Sequence, residues 1–148
     1  MAVQYRHTQP GIFSVAICLV SGAFGAVLLL NAGYRWPAIV LLVTESVVAI
    51  LFSSLTVEVE SRELRWYFGP GLWRYRLPLV AIKEVAVVRN HWWQGLGLRM
   101  APGPRLYTVS GLDAVELRLG PNDIRRIGTD DAHGLAAAIR AALSSPAR

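Results

Sequence analysis

Glu45 is the one charged residue type within either of the two long apolar runs of this 148-residue chain, and it stands near the middle of the second. A carboxyl group at membrane depth costs a few kcal/mol on insertion scales, so it is expected to be neutral or partnered. Intramembrane acids serve as proton relays, as contacts between subunits or as hydrogen-bonding groups within a helix pair; a relay needs further titratable groups in line, and the sequence supplies none. In an antiparallel helix pair turning near Tyr34, Ser21 lies at the depth of Glu45 and is its expected polar contact. Four cations, Arg62, Arg65, Arg74 and Arg76, follow soon after the second run. Such residues can rest against anionic headgroups, at about 1 kcal/mol each, or simply hold orientation and solvate a sheet face. His91-Trp92-Trp93 sits between Arg89 and Arg99. Trp92 and Trp93 are candidates for contact with a protein partner or with the headgroup layer, although a Trp in a small β domain also serves to complete its core.

The residue sets that catalysis requires are missing. Cys18 is the single cysteine, which excludes an internal disulfide and a cysteine-rich metal site, and His7, His91 and His133 are scattered without further ligands. Gly95-Leu-Gly97 starts like a dinucleotide fingerprint, but position 100 is Met and no Walker lysine follows. Asp113 and Asp123 fall at expected turns, and Asp130 and Asp131 open an expected helix, so no carboxylate pair is set up for acid-base work. Neither a nucleophile elbow nor a zincin helix occurs. No catalytic residue, metal or cofactor is therefore expected. The net charge of +5 raises nucleic acid as a partner. From Thr56 onward, however, 13 basic and 9 acidic residues are spread along the chain without a basic arm, and membrane-side charge accounts for them better than nucleic acid does.

The elements carrying these residues follow from hydropathy and period. A chain that is 53% apolar and 17% charged, with a mean hydropathy of +0.38, points to a membrane. No charged residue occurs from Thr8 to Tyr34, and residues 11–30 would span about 30 Å as a helix. A cleavable signal peptide has a shorter apolar core. The second run, 38–55, is long enough to cross again, and Asn31-Ala-Gly-Tyr-Arg-Trp-Pro37 supplies the turn. The pair reads as a transmembrane hairpin; two buried helices of a soluble protein are the alternative. Ser21, Gly22, Gly25 and Ala26 form small-xxx-small pairs suited to close packing within the hairpin or to association with a second copy. Arg35 is the only charge of the connecting loop, whereas arginines crowd the segment after the second helix. The positive-inside rule then puts residues 1–10, a short N-terminus, and the tail in the cytoplasm of a two-pass protein of the plasma (inner) membrane.

After Leu55 the period changes to two. Leu55–Glu60, Glu63–Phe68 and a stretch with Trp73, Tyr75 and Leu77 inward read as strands, the last two joined by the turn Gly69-Pro-Gly71. Further strands are expected at 82–89, near 96–100, and at 106–109, 114–119 and 123–127, giving roughly seven antiparallel strands. The period returns to helical with Leu135, Ala138, Ile139, Ala142 and Leu143, so a helix over 131–143 is expected, with Thr129 as N-cap and its apolar face across the sheet.

Trp66-Tyr-Phe-Gly69, Trp93-Gln-Gly-Leu-Gly-Leu-Arg99, Leu106-Tyr-Thr-Val-Ser-Gly-Leu-Asp-Ala-Val-Glu116 and Arg126-Ile-Gly-Thr-Asp-Asp131 occur in that order. Together they resemble the small bacterial membrane proteins, of uncharacterised function, that carry a pleckstrin-homology-like (PH-like) domain behind two transmembrane helices. The resemblance implies a PH-like barrel over 56–148, capped by the C-terminal helix, and no reaction. Phosphoinositide-binding members of the wider fold use a roomy loop between their first two strands; here that loop is Ser61-Arg62, too short for such a pocket. The expected function is a noncatalytic, membrane-anchored interaction module that binds a protein partner or itself. The alternative is contact with, or sensing of, anionic lipid headgroups as an envelope-associated factor.

Overall fold

Alternation does appear where the apolar runs end, but it begins earlier in the chain than hydropathy reveals. The computed structural model describes residues 3–90, the backbone of 97–99 and residues 104–144. Its first element is a strand, β1 (Val3–Pro10), within residues 1–10, the short N-terminus for which the sequence pattern predicts no element. The inward positions of β1 are Tyr5, His7 and Gln9, so the period of two is present in burial and absent from hydrophobicity. β1 pairs antiparallel with β2 (Ser54–Glu60), with His7 opposite Val57 and Pro10 opposite Ser54.

Between these neighbouring strands lie α1 (Ile12–Asn31) and α2 (Arg35–Leu51), packed against each other. α1 is long and apolar enough to cross a membrane. Only 17% of its most apolar window is buried, unlike the core helix of a soluble protein. The second helix starts and stops sooner than the expected 38–55. Pro37 is tolerated in its first turn, where backbone N–H groups have no intrahelical partner, and Leu55 already belongs to β2.

β2 continues through β3 (Glu63–Phe68) to β4 (Arg74–Pro78), completing a four-stranded antiparallel sheet in the order β1-β2-β3-β4. After a 3-10 turn at Leu79–Ala81 comes a five-stranded sheet of β5 (Glu84–Arg89), β6 (Gly97–Arg99), β7 (Arg105–Thr108), β8 (Asp113–Arg118) and β9 (Ile124–Gly128). Its order is β5-β8-β9-β7-β6, and β7 runs parallel to β9. A single barrel of about seven antiparallel strands is thus replaced by two sheets that do not close on each other. The β8-β9 hairpin inserts between β5 and β7, a crossing that local periodicity cannot disclose.

The inner faces meet around Trp66, Phe68, Leu64, Tyr107, Val115 and Ile127, all essentially inaccessible to solvent. Burying each such side chain stabilises by roughly 1.5–3 kcal/mol. α3 (Ala132–Ser144) inserts Leu135, Ala136 and Ile139 into the same core and packs on β5, β8, β1 and β2, closing the side that the two sheets leave open. Its cap is Asp131 rather than Thr129. The Asp131 carbonyl accepts the Leu135 N–H, and its Oδ1 accepts the Gly134 N–H at 3.0 Å. Thr129 Oγ1 instead accepts the Asp131 N–H at 3.1 Å. A Cβ at position 134 would lie 2.1 Å from Asp131 Oδ2, so the glycine that weakens the helix makes room for its cap.

The same carboxylate ties the helix to the N-terminal strand, because Tyr5 donates its hydroxyl to Asp131 Oδ2 at 2.9 Å. Beside it His7 Nε2 lies 2.5 Å from Asp130 Oδ1. The Tyr5 hydrogen bond, with help from the Gly134 N–H, holds the Asp131 carboxyl below its usual value, while burial and then Asp131 push the Tyr5 phenol above its own. Asp131 therefore contributes fully above about pH 4 and less as acid titrates it; Tyr5 contributes fully below about pH 10 and less as base titrates it. Asp131→Ala should cost about 1–2 kcal/mol, the worth of an N-cap, read as a lower urea midpoint of the detergent-solubilised chain. Protection of the β1 amides, as exchange rate relative to the intrinsic rate at the same pH, should be greatest between those two pH limits, and Tyr5→Phe should remove the alkaline limit.

Candidate functional site

The junction of hairpin and sheets is where most of the molecule's unusual features converge. Gly11 donates its N–H to the Ser53 carbonyl at 2.7 Å, closing the base of the hairpin with a single residue between β1 and α1. Gln9 Nε2 donates to the Ser110 carbonyl at 2.8 Å, and Ser14 Oγ, in the first turn of α1, donates to the Val109 carbonyl at 2.8 Å. The hairpin base is therefore continuous with the first sheet and bonded to the β7-β8 turn of the second.

That junction orders the four candidate arginines by distance from the helices. Arg74 begins β4 opposite Tyr67, whose ring its guanidinium covers at 5.6 Å, and its Nε donates to the Gly71 carbonyl at 3.0 Å. Arg76 is exposed one step further along. Arg65 is committed to Glu60 at 2.8 Å and to Glu63. Arg62 is exposed in the β2-β3 turn, at the opposite end of strands that run about 20 Å from the helices. Arg65 and Arg76 are register partners on the outward face of β3 and β4, with Arg74 two residues along, so three of the four lie together, Arg62 stands apart in its turn, and Arg74 is the one nearest the hairpin base. Elsewhere the cations are held by ion pairs within the sheets, with Arg126 on Glu116 at 2.8 Å, Arg118 on Glu84 at 3.1 Å and Arg6 on Glu58 at 3.3 Å.

Glu45 faces α1, though not at Ser21. A Cβ on Gly22 would lie 3.2 Å from both Cβ and Cγ of Glu45, and the buried Cys18 is a neighbour of the same carboxyl. Ser21 is exposed and donates its hydroxyl to the Ile17 carbonyl of its own helix at 2.7 Å. Glu45 packs on Gly22, one residue from the expected Ser21, and adjacent helical residues point about 100° apart. Cys18, Gly22 and Ala26 form the buried stripe of α1 against Ala38 and Ala49 of α2, so the small residues serve the hairpin itself.

Trp92 and Trp93, with His91, lie outside the described residues. The positions flanking them are described: Asn90 donates its N–H to the Leu112 carbonyl at 2.7 Å, and Gly97 pairs with Thr108, so both belong to the end of the second sheet that meets the hairpin. Trp73, expected inward, instead lies in the turn before β4 and is 49% exposed, with Leu72 beside it at 71%. Strand alternation does not carry through a turn; the signal for this pair is two large apolar residues directly after Gly69-Pro-Gly71.

A cavity of about 400 Å³ lies at the opposite end of the second sheet, lined by Arg105 and residues 120–124. Arg105 is the register partner of Arg125, whose Nε is 3.6 Å from Asp123 Oδ1. Burial raises the nearby Tyr107 phenol above its usual value, and Arg125 partly offsets that. Asp123, itself in the lining, works against an anion there. Among the described residues no three His, Cys, Asp or Glu side chains gather as a metal-binding set. Compared with known proteins, the chain matches no family model, no curated protein and no solved structure. Its function is to be argued from its own geometry.

For the hairpin, Gly22→Leu should destabilise by about 1–3 kcal/mol through overpacking against Glu45. Ser21→Ala should change stability by under about 0.5 kcal/mol, as an exposed substitution does. Thermal midpoints of the full chain in detergent distinguish the two.

Proposed function

We propose that this chain is a two-pass protein of the plasma membrane whose β domain is a noncatalytic interaction module at the cytoplasmic face, engaging a protein partner or a second copy of itself. The observation that carries this reading is the splice of an externally apolar helical hairpin between adjacent strands of one sheet. Large side chains such as Val20, Phe24, Val40 and Ile50 are 60% exposed or more, and water is a poor solvent for such a surface. α2, at 17 residues, has a length of about 26 Å, close to a hydrocarbon core of about 30 Å. Because β1 and β2 pair directly, both ends of the hairpin leave the bilayer on the same side, and the arginine bias makes that side cytoplasmic.

The module reading rests on sheet margins. β4 and β6 end their sheets with one ladder edge each, and an edge strand's free N–H and C=O groups can accept an added strand. Asn90 and Gly97, the described residues that bracket Trp92 and Trp93 in sequence, lie at the end of the second sheet that meets the hairpin.

Two measurements test the proposal. In a Cys18→Ser background, Ala32→Cys should react with an impermeant maleimide only from the outer face, while terminal tags are cleaved only from the cytoplasmic face; labelling and cleavage from one side would refute the second crossing. A photoreactive residue at position 92, irradiated in native membranes, should give a discrete protein adduct. Adducts to lipid alone would replace the protein-binding role with headgroup contact.

A further inference from the structure

We infer that the β3-β4 turn, centred on Leu72 and Trp73, is a second membrane attachment, seated at the boundary between headgroups and acyl chains of the leaflet on the domain's side. The inference rests on the two-pass reading and adds a contact that anchoring by the hairpin does not require.

The turn is packed onto the end of α2. Gly69 has φ +46°, and a Cβ there would lie 2.5 Å from the Ile50 carbonyl oxygen and 2.7 Å from that of Leu51, so only a residue without a side chain brings the turn this close. Phe52, the first residue past the helix, lies 5.3 Å from the Phe68 ring and 6.3 Å from the Trp73 ring, centroid to centroid. Trp73 is thus held beside the helix end by ring contact, and Leu72 projects from it, 71% exposed.

Length fixes the depth. With Arg35 at the outer surface, a helix of about 26 Å stops a few Å short of the far edge of a core of about 30 Å, and any tilt shortens its reach. Leu51 then ends within the hydrocarbon margin, and the turn in contact with its carbonyl lies in the layer where Trp is most favourable. The opposite end of α2 carries exposed Tyr34 and Trp36, so the helix has an aromatic residue at each bilayer boundary. Charge agrees: residues 69–76 contain Arg74 and Arg76 and no acid, as suits a leaflet with anionic phosphates. The occupant is lipid rather than a soluble protein because the patch is continuous with the apolar surface of the hairpin.

The test uses the full chain with Cys18→Ser, reconstituted into phosphatidylethanolamine and phosphatidylglycerol vesicles. A nitroxide is placed in turn at Phe24→Cys in the middle of α1, at Leu72→Cys, and at Val80→Cys, which is 93% exposed just past the far end of β4. Collision with oxygen, which concentrates in lipid, is compared with collision with a water-soluble nickel complex. The expected result is a high oxygen-to-nickel ratio at 24, an intermediate one at 72, several-fold above that at 80, and a low ratio at 80. If 24 reads as lipid while 72 matches 80, the turn is in water and the inference fails with the hairpin reading intact. If 72 is shielded from both reagents, protein covers it and the inference fails as well. A water-like reading at 24 overturns both.

Discussion

The ladder between β1 and β2 is the constraint on which the rest of the molecule depends. Adjacent antiparallel strands lie about 4.8 Å apart, and here the connection between them is a helical hairpin in place of a tight turn. The sheet thereby sets where the chain enters and leaves the helices, and the bond from Gly11 to Ser53 shuts the base. A domain joined by a flexible tether could tumble beneath its anchor. This one is joined through two strands of its own first sheet and through Gln9 and Ser14 to the second. Attitude relative to the helices is consequently a property of the fold.

The distribution of polar groups follows from that attitude. Away from the helices, charges are matched within the sheets: Arg65 between Glu60 and Glu63, Arg126 on Glu116, Arg118 on Glu84. Each such partly exposed pair contributes little to stability, on the order of 1 kcal/mol or less. Beside the end of α2, aromatic and aliphatic side chains such as Phe52, Leu72 and Trp73 accompany Arg74. α3 belongs to the same scheme, since its cap at Asp131 fastens the N-terminal strand, and so the base of the hairpin, to the core.

Much of this was legible in the sequence where one physical signal dominates. Twenty uncharged residues without a helical or strand alternation to break them announce a membrane-length helix, and the inward Leu64, Trp66 and Phe68 announce a strand. Failures occurred where two signals conflict or where none is local. β1 conceals its alternation because its inward Tyr5, His7 and Gln9 answer polar partners at Asp130 and Asp131, just ahead of α3, and in the β7-β8 turn. Hydropathy alone could not separate the last turn of α2 from the start of β2, since Leu51, Phe52 and Leu55 suit either. Antiparallel numbering fixes which residues are level only to within about one position, and Glu45 packs on Gly22, the residue with no side chain, in place of the expected Ser21. The parallel pairing of β7 and β9 depends on a crossing between segments that no local pattern records. Trp92 and Trp93, the most conspicuous candidates by sequence, lie outside the described residues, and the exposed aromatic that the structure does describe is Trp73.

The accommodation of Glu45 shows how the hairpin reconciles an acid with an apolar surround. Facing lipid, a carboxyl would be unpartnered and costly; facing a bulky side chain on α1, it would hold the helices apart. Gly22 removes the obstruction, and the neighbouring Cys18 and Ala26 keep the seam narrow along three successive turns. The hydroxyls that do face outward, those of Ser21, Thr44 and Ser46, each bond a carbonyl of their own helix and so need no partner beyond it. Ser21, Thr44 and Ser46 thus turn back onto their own backbone, Glu45 turns into the seam and Ser14 bonds the Val109 carbonyl, which leaves the outer surface of the pair largely to apolar side chains, the surface that the proposed two-pass arrangement would present to lipid.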